Sequence, residues 1–528
     1  NIAIMKRFVP LFTILPLFLL FCCSSQKKKH DYNGDLKQVN VQLFGAAKQV
    51  SGSCYYFDTD QIDFLIDCGL YYPETKKINY EVDVKNTNRI NTELPVSPNG
   101  LSAIIITHAH LDHMGKIPLL ISKGFDGIIY STELTKELSL IMLEMVLKST
   151  SLGEEKFTKS SKSNKVHSQN SCKWKNKIKR PKYITIERNE LYDRDLQLCK
   201  VCLSIEINNI ERMFSIVSFN RNVKLSKNIS LELFDAKHIP GSSSALINFD
   251  FGNDNKSVYI TGDIGSGLDN ILSGMPEKPD EVDYIFMEST YGGKSRDLPT
   301  NPFDKFYYDL NNSVRSNKLV WIPCFVLDRT QKVLNSIREG QIQKKLPKHI
   351  DIKIVSSTAK KVNKVYDKQY NYRPQYVDES FSMSPKKLMD EIQKAIILVT
   401  PSYIDGIDFF HPIVEEIITD KNSEIMLVGY QDPRSIGGIL KKIKKGSSVK
   451  LGDKNIYVSS DVNYYGGIFS GHIDSKGITD YLSAMKINKK ICLVHGDLSS
   501  LNDLSHLLKG SFGNKVIIPN KGQIININ

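Results

Sequence analysis

Residues 108–113 read His108-Ala109-His110-Leu111-Asp112-His113, directly after the apolar run Ala103-Ile104-Ile105-Ile106-Thr107. A β-branched apolar run of this kind predicts a buried strand. The strand would therefore end in three imidazoles and a carboxylate. Three of the eleven histidines in the 528-residue chain fall within these six positions, so a generic polar loop explains the segment poorly. Neutral imidazole and carboxylate are ligands that zinc accepts. In an extended segment His108 and His110 point the same way and can grip one metal. Asp112 and His113 lie past a bend and can grip a second. Such a loop limits the fold, because the remaining ligands must arrive on other strand ends at the same edge.

Three other segments share this grammar of an apolar run followed by His or Asp, with Gly or Pro close by. Asp67 closes Phe64-Leu65-Ile66. His238 follows Ser230-Leu231-Glu232-Leu233-Phe234. Asp263 ends Val258-Tyr259-Ile260-Thr261-Gly262. In this order the set resembles the metallo-β-lactamase fold, an αββα sandwich with its metals at one edge.

The second half narrows the resemblance to the β-CASP nucleases, which carry an α/β cap inserted into that sandwich. Phe286-Met287-Glu288-Ser289-Thr290-Tyr291-Gly292 is similar to their motif A, Phe469-Ser470-Gly471-His472-Ile473-Asp474 to motif B, and Leu493-Val494-His495-Gly496-Asp497 to motif C. Trp321-Ile322-Pro323-Cys324-Phe325-Val326, followed by Arg329-Thr330-Gln331, resembles their Pro-x-Phe strand and the helix after it. Val428-Gly429-Tyr430-Gln431 resembles another of their strands. The resemblance implies hydrolysis of phosphodiesters in nucleic acid, mostly RNA. It implies two Zn(II), one on His108, His110 and His238, the other on Asp112, His113 and His495, with Asp263 bridging. The catalytic set it implies is Asp112, Glu288, His472 and Asp67. His472 would act as general acid with Glu288 orienting it, and Asp67 would hold a metal ligand by hydrogen bonding. The histidine in motif C favours RNA over DNA.

Four positions depart from the family pattern. Lys237 and Asp328 stand where glycine is usual. Thr400 to Gly406 replaces a Ser-Gly-Met turn, and Gln431 to Ser435 replaces a Gly-Thr turn. None removes a ligand. They bear on how substrate is gripped.

An insert interrupts the first domain. Thr132 to Lys148 carries Leu and Met at helical spacing, a stripe that reads as core packing, and Ser149-Thr150-Ser151-Leu152-Gly153 is expected to end the helix. The chain from 154 to 205 is basic and rich in Cys and His. His167, Cys172, Cys199 and Cys202 form H-x4-C and C-x2-C pairs that suit a structural Zn(II), and the surrounding residues resemble an Ada-type metal module. Four unconnected side chains, or a Cys199–Cys202 disulfide, are the alternatives. Trp174 and the nearby lysines suit a nucleic-acid backbone or simply a solvated surface.

The formal charge of +12 favours an anionic partner. At the N-terminus, Lys6-Arg7 precedes the apolar stretch Phe8 to Phe21 and then Cys22-Cys23-Ser24-Ser25. Residues 1–26 therefore read as an export or lipoprotein signal with Cys23 as the acylation site and Cys22 as the alternative, which implies membrane attachment at the cell envelope. An uncleaved anchor and a cytoplasmic location are the alternatives. The expected organisation is a metallo-β-lactamase domain at 38–292 and 461–528 around a β-CASP domain at 293–460. The expected activity is that of a zinc-dependent endo- or exoribonuclease. Its rivals are an exported DNA or sugar-nonspecific nuclease and a non-catalytic nucleic-acid-binding scaffold. Nothing in the sequence indicates the oligomeric state.

Overall fold

Along Val39–Gly45 buried and half-buried side chains alternate, as they do when one face of a strand meets a core. The computed structural model to which this strand belongs describes residues 34–72, 90–152, 200–267, 271–296, 298–380, 397–401, 411–431, 436–443, 445–451 and 454–527. One seven-stranded sheet runs Ile524–Asn526, Val39–Gly45, Cys54–Thr59, Asp63–Ile66, Leu101–Ile105, Ile128–Ser131 and Phe214–Ile216. A second runs Val516–Ile517, Lys486–Val494, Glu281–Glu288, Asn255–Ile260, Ser243–Asp250, Ile229–Asp235 and Val223–Lys224.

The inner faces of these sheets share one core. Phe57, Phe64, Ile66 and Ile105 come from the first sheet, and Leu231, Ile247, Phe249 and Phe286 from the second. The Phe57 and Phe64 rings stack with centroids 4.5 Å apart. Each such buried side chain contributes about 1.5–3 kcal/mol of transfer free energy. Helices cover both outer faces. Glu133–Leu152 contributes Leu138, Met142 and Leu143 to one outer core. Ser475–Ser483 and Leu498–Phe512 contribute Ile478, Leu482, Leu501 and Leu504 to the other. The architecture is an αββα sandwich.

Between the two halves of the sandwich lies a third sheet, ordered Val377–Asp378, Ile352–Ile354, Ile397–Pro401, Leu319–Cys324, Ser423–Leu427 and Asp461–Tyr464, with every pairing parallel. Its flanking helices include Asp304–Arg315, Arg329–Ile342 and Ser357–Asp367. This is the α/β cap. Its edge strand Asp461–Tyr464 lies just beyond residue 460, where the returning sandwich segment was expected to start. The cap rests on helix Glu133–Leu152, where Lys361 pairs with Glu144 and Lys368 Nζ lies 2.8 Å from Glu137 Oε2.

That helix runs four residues past the expected stop at Lys148. Ser and Thr are only mildly unfavourable inside a helix, and extending a formed helix by one turn costs far less than starting one. Residues 1–26, with Cys23, lie outside the described residues. So do His167, Cys172 and Cys199, while Cys202 falls in the first turn of helix Lys200–Glu211. Ser402 to Gly406 and Asp432 to Ser435 also lie outside them. Among the described residues no helix is long and apolar enough to cross a membrane.

Strand direction sets the location of the chemistry. Asp63–Ile66 and Leu101–Ile105 are parallel, as are Asn255–Ile260, Glu281–Glu288 and Lys486–Val494. Asp67, His108, Asp263, Glu288 and His495 therefore emerge at the same edge, at the carboxyl ends of their strands. The cap closes over that edge.

Candidate metal centre

The loop after Leu101–Ile105 first runs extended, then turns. His110 is the extended N-cap of the single-turn helix Leu111–Met114, which carries Asp112 and His113. The turn fits because Gly69 passes against it: a Cβ on Gly69 would lie 1.6 Å from the Asp112 carbonyl oxygen. The loop thus separates two pairs of ligand atoms, as the spacing predicted.

Two clusters form. In the first, His110 Nδ1 lies 3.0 Å from His108 Nε2 and 3.3 Å from His238 Nε2, and Asp263 Oδ2 lies 3.6 Å from both Nε2 atoms. In the second, His113 Nε2 and His495 Nε2 are 3.1 Å apart, with Asp112 Oδ2 3.6 Å from His495 Nε2. Asp263 turns its other oxygen to this cluster, with Oδ1 3.3 Å from His113 Nε2. Two nitrogens bound to one tetrahedral zinc at about 2.0–2.1 Å stand about 3.3 Å apart, which matches these separations. Asp263 Oδ1 is buried and accepts no hydrogen bond among the described residues. An orphaned carboxylate oxygen facing converging nitrogens is the signature of a cation site. The donor set, all imidazole and carboxylate, fits zinc.

Behind the ligand atoms, other groups fix the rings. Asp67 Oδ2 lies 2.7 Å from His113 Nδ1 and also accepts from Thr107 Oγ1 at 2.9 Å, while Asp67 Oδ1 accepts from the Thr107 amide at 2.9 Å. Asp67 sits behind the ligand ring, as expected for an orienting carboxylate. His238 Nδ1 lies 3.0 Å from the Gly471 carbonyl oxygen, so Nδ1–H donates there and Nε2 is left as the ligand atom. Thr290 Oγ1 sits 3.1 Å from His495 Nδ1, which leaves its Nε2 toward the cluster. Thr107, Thr290 and the Gly471 carbonyl were not anticipated from sequence. Thr107 was the most visible of them, since it immediately precedes the histidine run.

Charge follows the same plan. Burial, reinforced by the neighbouring histidines, lowers the pKa of His108 and His238 well below the usual imidazole range, so both stay neutral. Burial opposes ionisation of Asp263, but His495, His113 and His472 outweigh it and keep the carboxyl well below its ordinary value. Burial likewise opposes a charge on His113, yet Asp263 and Asp67 raise it well above the ordinary value. Carboxylates that favour a proton at that position favour a metal cation in its place, and metal binding would release the proton.

A third group adjoins the clusters. His472 Nδ1 lies 2.9 Å from Glu288 Oε1, and its Nε2 lies 3.9 Å from Asp263 Oδ2. Glu288 is itself fixed by the backbone amides of Ile264 and Thr290, at 2.9 and 3.2 Å. Burial would discharge His472, but Glu288 and then Asp263 raise its pKa to about 9. Every active-site residue expected from the sequence is thus gathered at one edge.

Both expected glycine departures adopt the conformation glycine favours: φ is 57° at Lys237 and 69° at Asp328. Lys237 Nζ pairs with Asp235 Oδ2 at 2.8 Å.

Comparison with known proteins agrees with the geometry. Residues 47–191 match the family described as the metallo-beta-lactamase superfamily, and residues 456–519 match the Zn-dependent metallo-hydrolase RNA specificity domain. A protein of Methanococcus maripaludis named transcription termination factor FttA is 25% identical over 496 residues, covering 88% of this chain and 68% of that protein. A protein of Thermus thermophilus named a ribonuclease is 23% identical over 492 residues, covering 89% and 96%. The crystal structure of a protein of unknown function from Enterococcus faecalis V583 aligns with a TM-score of 0.50 at 12% identity, over 93% of this chain and 100% of that one. That last likeness concerns the fold alone. The chain is a metal-dependent hydrolase built on the metallo-β-lactamase fold, with an α/β cap inserted between its halves.

Proposed function

We propose that this protein is a zinc-dependent β-CASP-type ribonuclease that hydrolyses phosphodiester bonds in RNA. The observation that carries the reading is Asp263, one buried carboxylate whose two oxygens each face a separate histidine cluster. The RNA specificity match at 456–519 and the relatives named ribonuclease and termination factor support the choice of substrate. His108, His110 and His238 would hold one ion and Asp112, His113 and His495 the other, with Asp263 shared. When bound, two zinc ions supply Lewis-acid activation of water and neutralise charge on the phosphate.

The protein's own groups do the rest. His472, held protonated beside Glu288, presents Nε2 toward the metal edge and delivers a proton to the departing sugar oxygen. Glu288 keeps the ring in place, and Asp67 with Thr107 keeps His113 aimed. The cap covers the edge and limits entry to a strand that can thread the cleft. The test is cleavage of 5′-labelled single-stranded RNA and matched DNA by the zinc-loaded chain. Selective RNA cleavage supports the reading, and equal cleavage of both replaces it with a sugar-nonspecific nuclease.

Further proposals rest on sequence alone. Residues 1–26 direct export, with lipid on Cys23 and a place at the cell envelope. His167, Cys172, Cys199 and Cys202 bind one structural zinc. Mass spectrometry of the mature N-terminus and a metal count on a C199S/C202S variant test them in turn.

A further inference from the structure

His472 stands in a loop, not on a strand or helix, so something must fix the backbone beneath its ring. Glu288 holds the ring at Nδ1, but a ring tied there still shifts with its own Cα. Two successive peptide carbonyls are held. The Gly471 carbonyl accepts from His238 Nδ1 at 3.0 Å, and the His472 carbonyl accepts from Nη2 of Arg296.

Arg296 lies in the segment that follows strand Glu281–Glu288, and it meets the His472 loop twice. Its amide donates to Asp474 Oδ2 at 2.9 Å, while Asp474 Oδ1 caps helix Ser475–Ser483 by accepting from the Gly477 amide at 2.9 Å. Its guanidinium lies over the Tyr291 ring, with Cζ 5.4 Å from the centroid. That ring in turn stands 6.1 Å from the His472 ring, centroid to centroid. Tyr291 also forms an isolated parallel bridge with Asp474. The guanidinium is therefore itself held, by an aromatic face on one side and the loop on the other.

For stability alone the arrangement is poor. Nε of Arg296 is buried and has no hydrogen-bond partner among the described residues, and a buried donor left unpaired costs free energy. What the guanidinium provides is rigidity. A charge-assisted hydrogen bond is stronger than a neutral one, and a planar cation resting on an aromatic ring holds its direction. The peptide it fixes carries the proton donor. A misplacement of about 1 Å near the reacting atoms can cost about 10²-fold in rate.

We propose that Arg296 is a positioning residue for the proton donor: resting on Tyr291, it fixes the His472 carbonyl and keeps Nε2 directed at the departing sugar oxygen. The proposal rests on the ribonuclease reading given above and on the role given there to His472. Arg296 acts on proton transfer through His472 and leaves the metals alone.

The test is a double-mutant cycle on the zinc-loaded full chain, with wild type, R296M, H472A and R296M/H472A cleaving 5′-labelled single-stranded RNA. R296M should lower kcat by about 10–100-fold, with KM and zinc content unchanged. In the H472A background the same change should cost nothing further, because the group it positions is gone. R296Q keeps a side-chain donor without the charge, spares the fold and should lie between wild type and R296M, so the cycle is repeated with it. Bis(p-nitrophenyl) phosphate supplies the second readout, since nitrophenolate departs without a proton. R296M should cut it at close to the wild-type rate. A folded R296M with wild-type kcat on RNA would overturn the proposal. So would losses that add in R296M/H472A, a fall in zinc content, or an equal loss on the nitrophenyl ester. Failure of the wild-type chain itself to cut RNA would bring down the ribonuclease reading, and it is seen without any variant.

Discussion

The sandwich and the cap meet at one cleft but are built by different rules. In the sandwich the ligands sit at strand ends or in the loops and the single helical turn directly after them, and a hydroxyl, carbonyl or carboxylate fixes three of the rings: Thr107 and Asp67 behind His113, Gly471 behind His238, Thr290 behind His495. The cap instead presents Asp328 and Lys332 from a strained turn and a buried ion pair. Metal binding demands fixed distances and takes them from the strand ends and the loops directly after them, whereas the cap carries a strained turn and a buried ion pair that metal binding does not require.

The comparison can be broken in four places. The largest effect is expected at Asp263. Asp263→Ala removes the shared oxygen donor of both clusters, so cleavage should vanish and metal content should fall while circular dichroism still shows a folded chain. A metal-replete, active Asp263→Ala variant would contradict the sandwich half of the comparison. Next is His472→Ala, which should lower kcat by about 10²–10⁴-fold, the usual worth of a general acid, with zinc content unchanged. Loss of zinc there would instead make His472 a ligand.

Asp67→Ala should cost about 10–100-fold in metal affinity or activity, because His113 loses the carboxylate that aims it. Competition with a chelator measures the affinity directly. The smallest effect lies in the cap. Tyr366→Phe removes the hydroxyl that Asp328 Oδ1 accepts from, so thermal stability should fall by about 1 kcal/mol while metal content stays constant. A drop in metal content would show that the two regions are not separable.

Legibility in the sequence follows the same division. His108, His110, Asp112, His113, His238 and Asp263 could be read because each follows an apolar strand, and Glu288, His472 and His495 because their surroundings resemble family motifs; all of them converge at one edge. The partners behind them could not. A threonine hydroxyl such as Thr290, or a backbone carbonyl such as that of Gly471, leaves no pattern in a sequence. Asp328 was visible as an aspartate at an expected glycine, but its left-handed backbone and its pairing with Lys332 depend on the fold. The helix stop was misjudged at Lys148 because turn-forming residues were weighed without the cost of breaking a helix already formed. The strand Asp461–Tyr464 was assigned past the cap's end because parallel strands carry no mark of which sheet they join.

The most direct test of the central claim is paired. Zinc is counted in wild type and in Asp263→Ala, and both are incubated with 5′-labelled single-stranded RNA and matched DNA. The account predicts that wild type cuts RNA in preference to DNA, and that the variant has lost active-site zinc and does not cut. A folded variant that keeps its zinc and cuts RNA at the wild-type rate would contradict it.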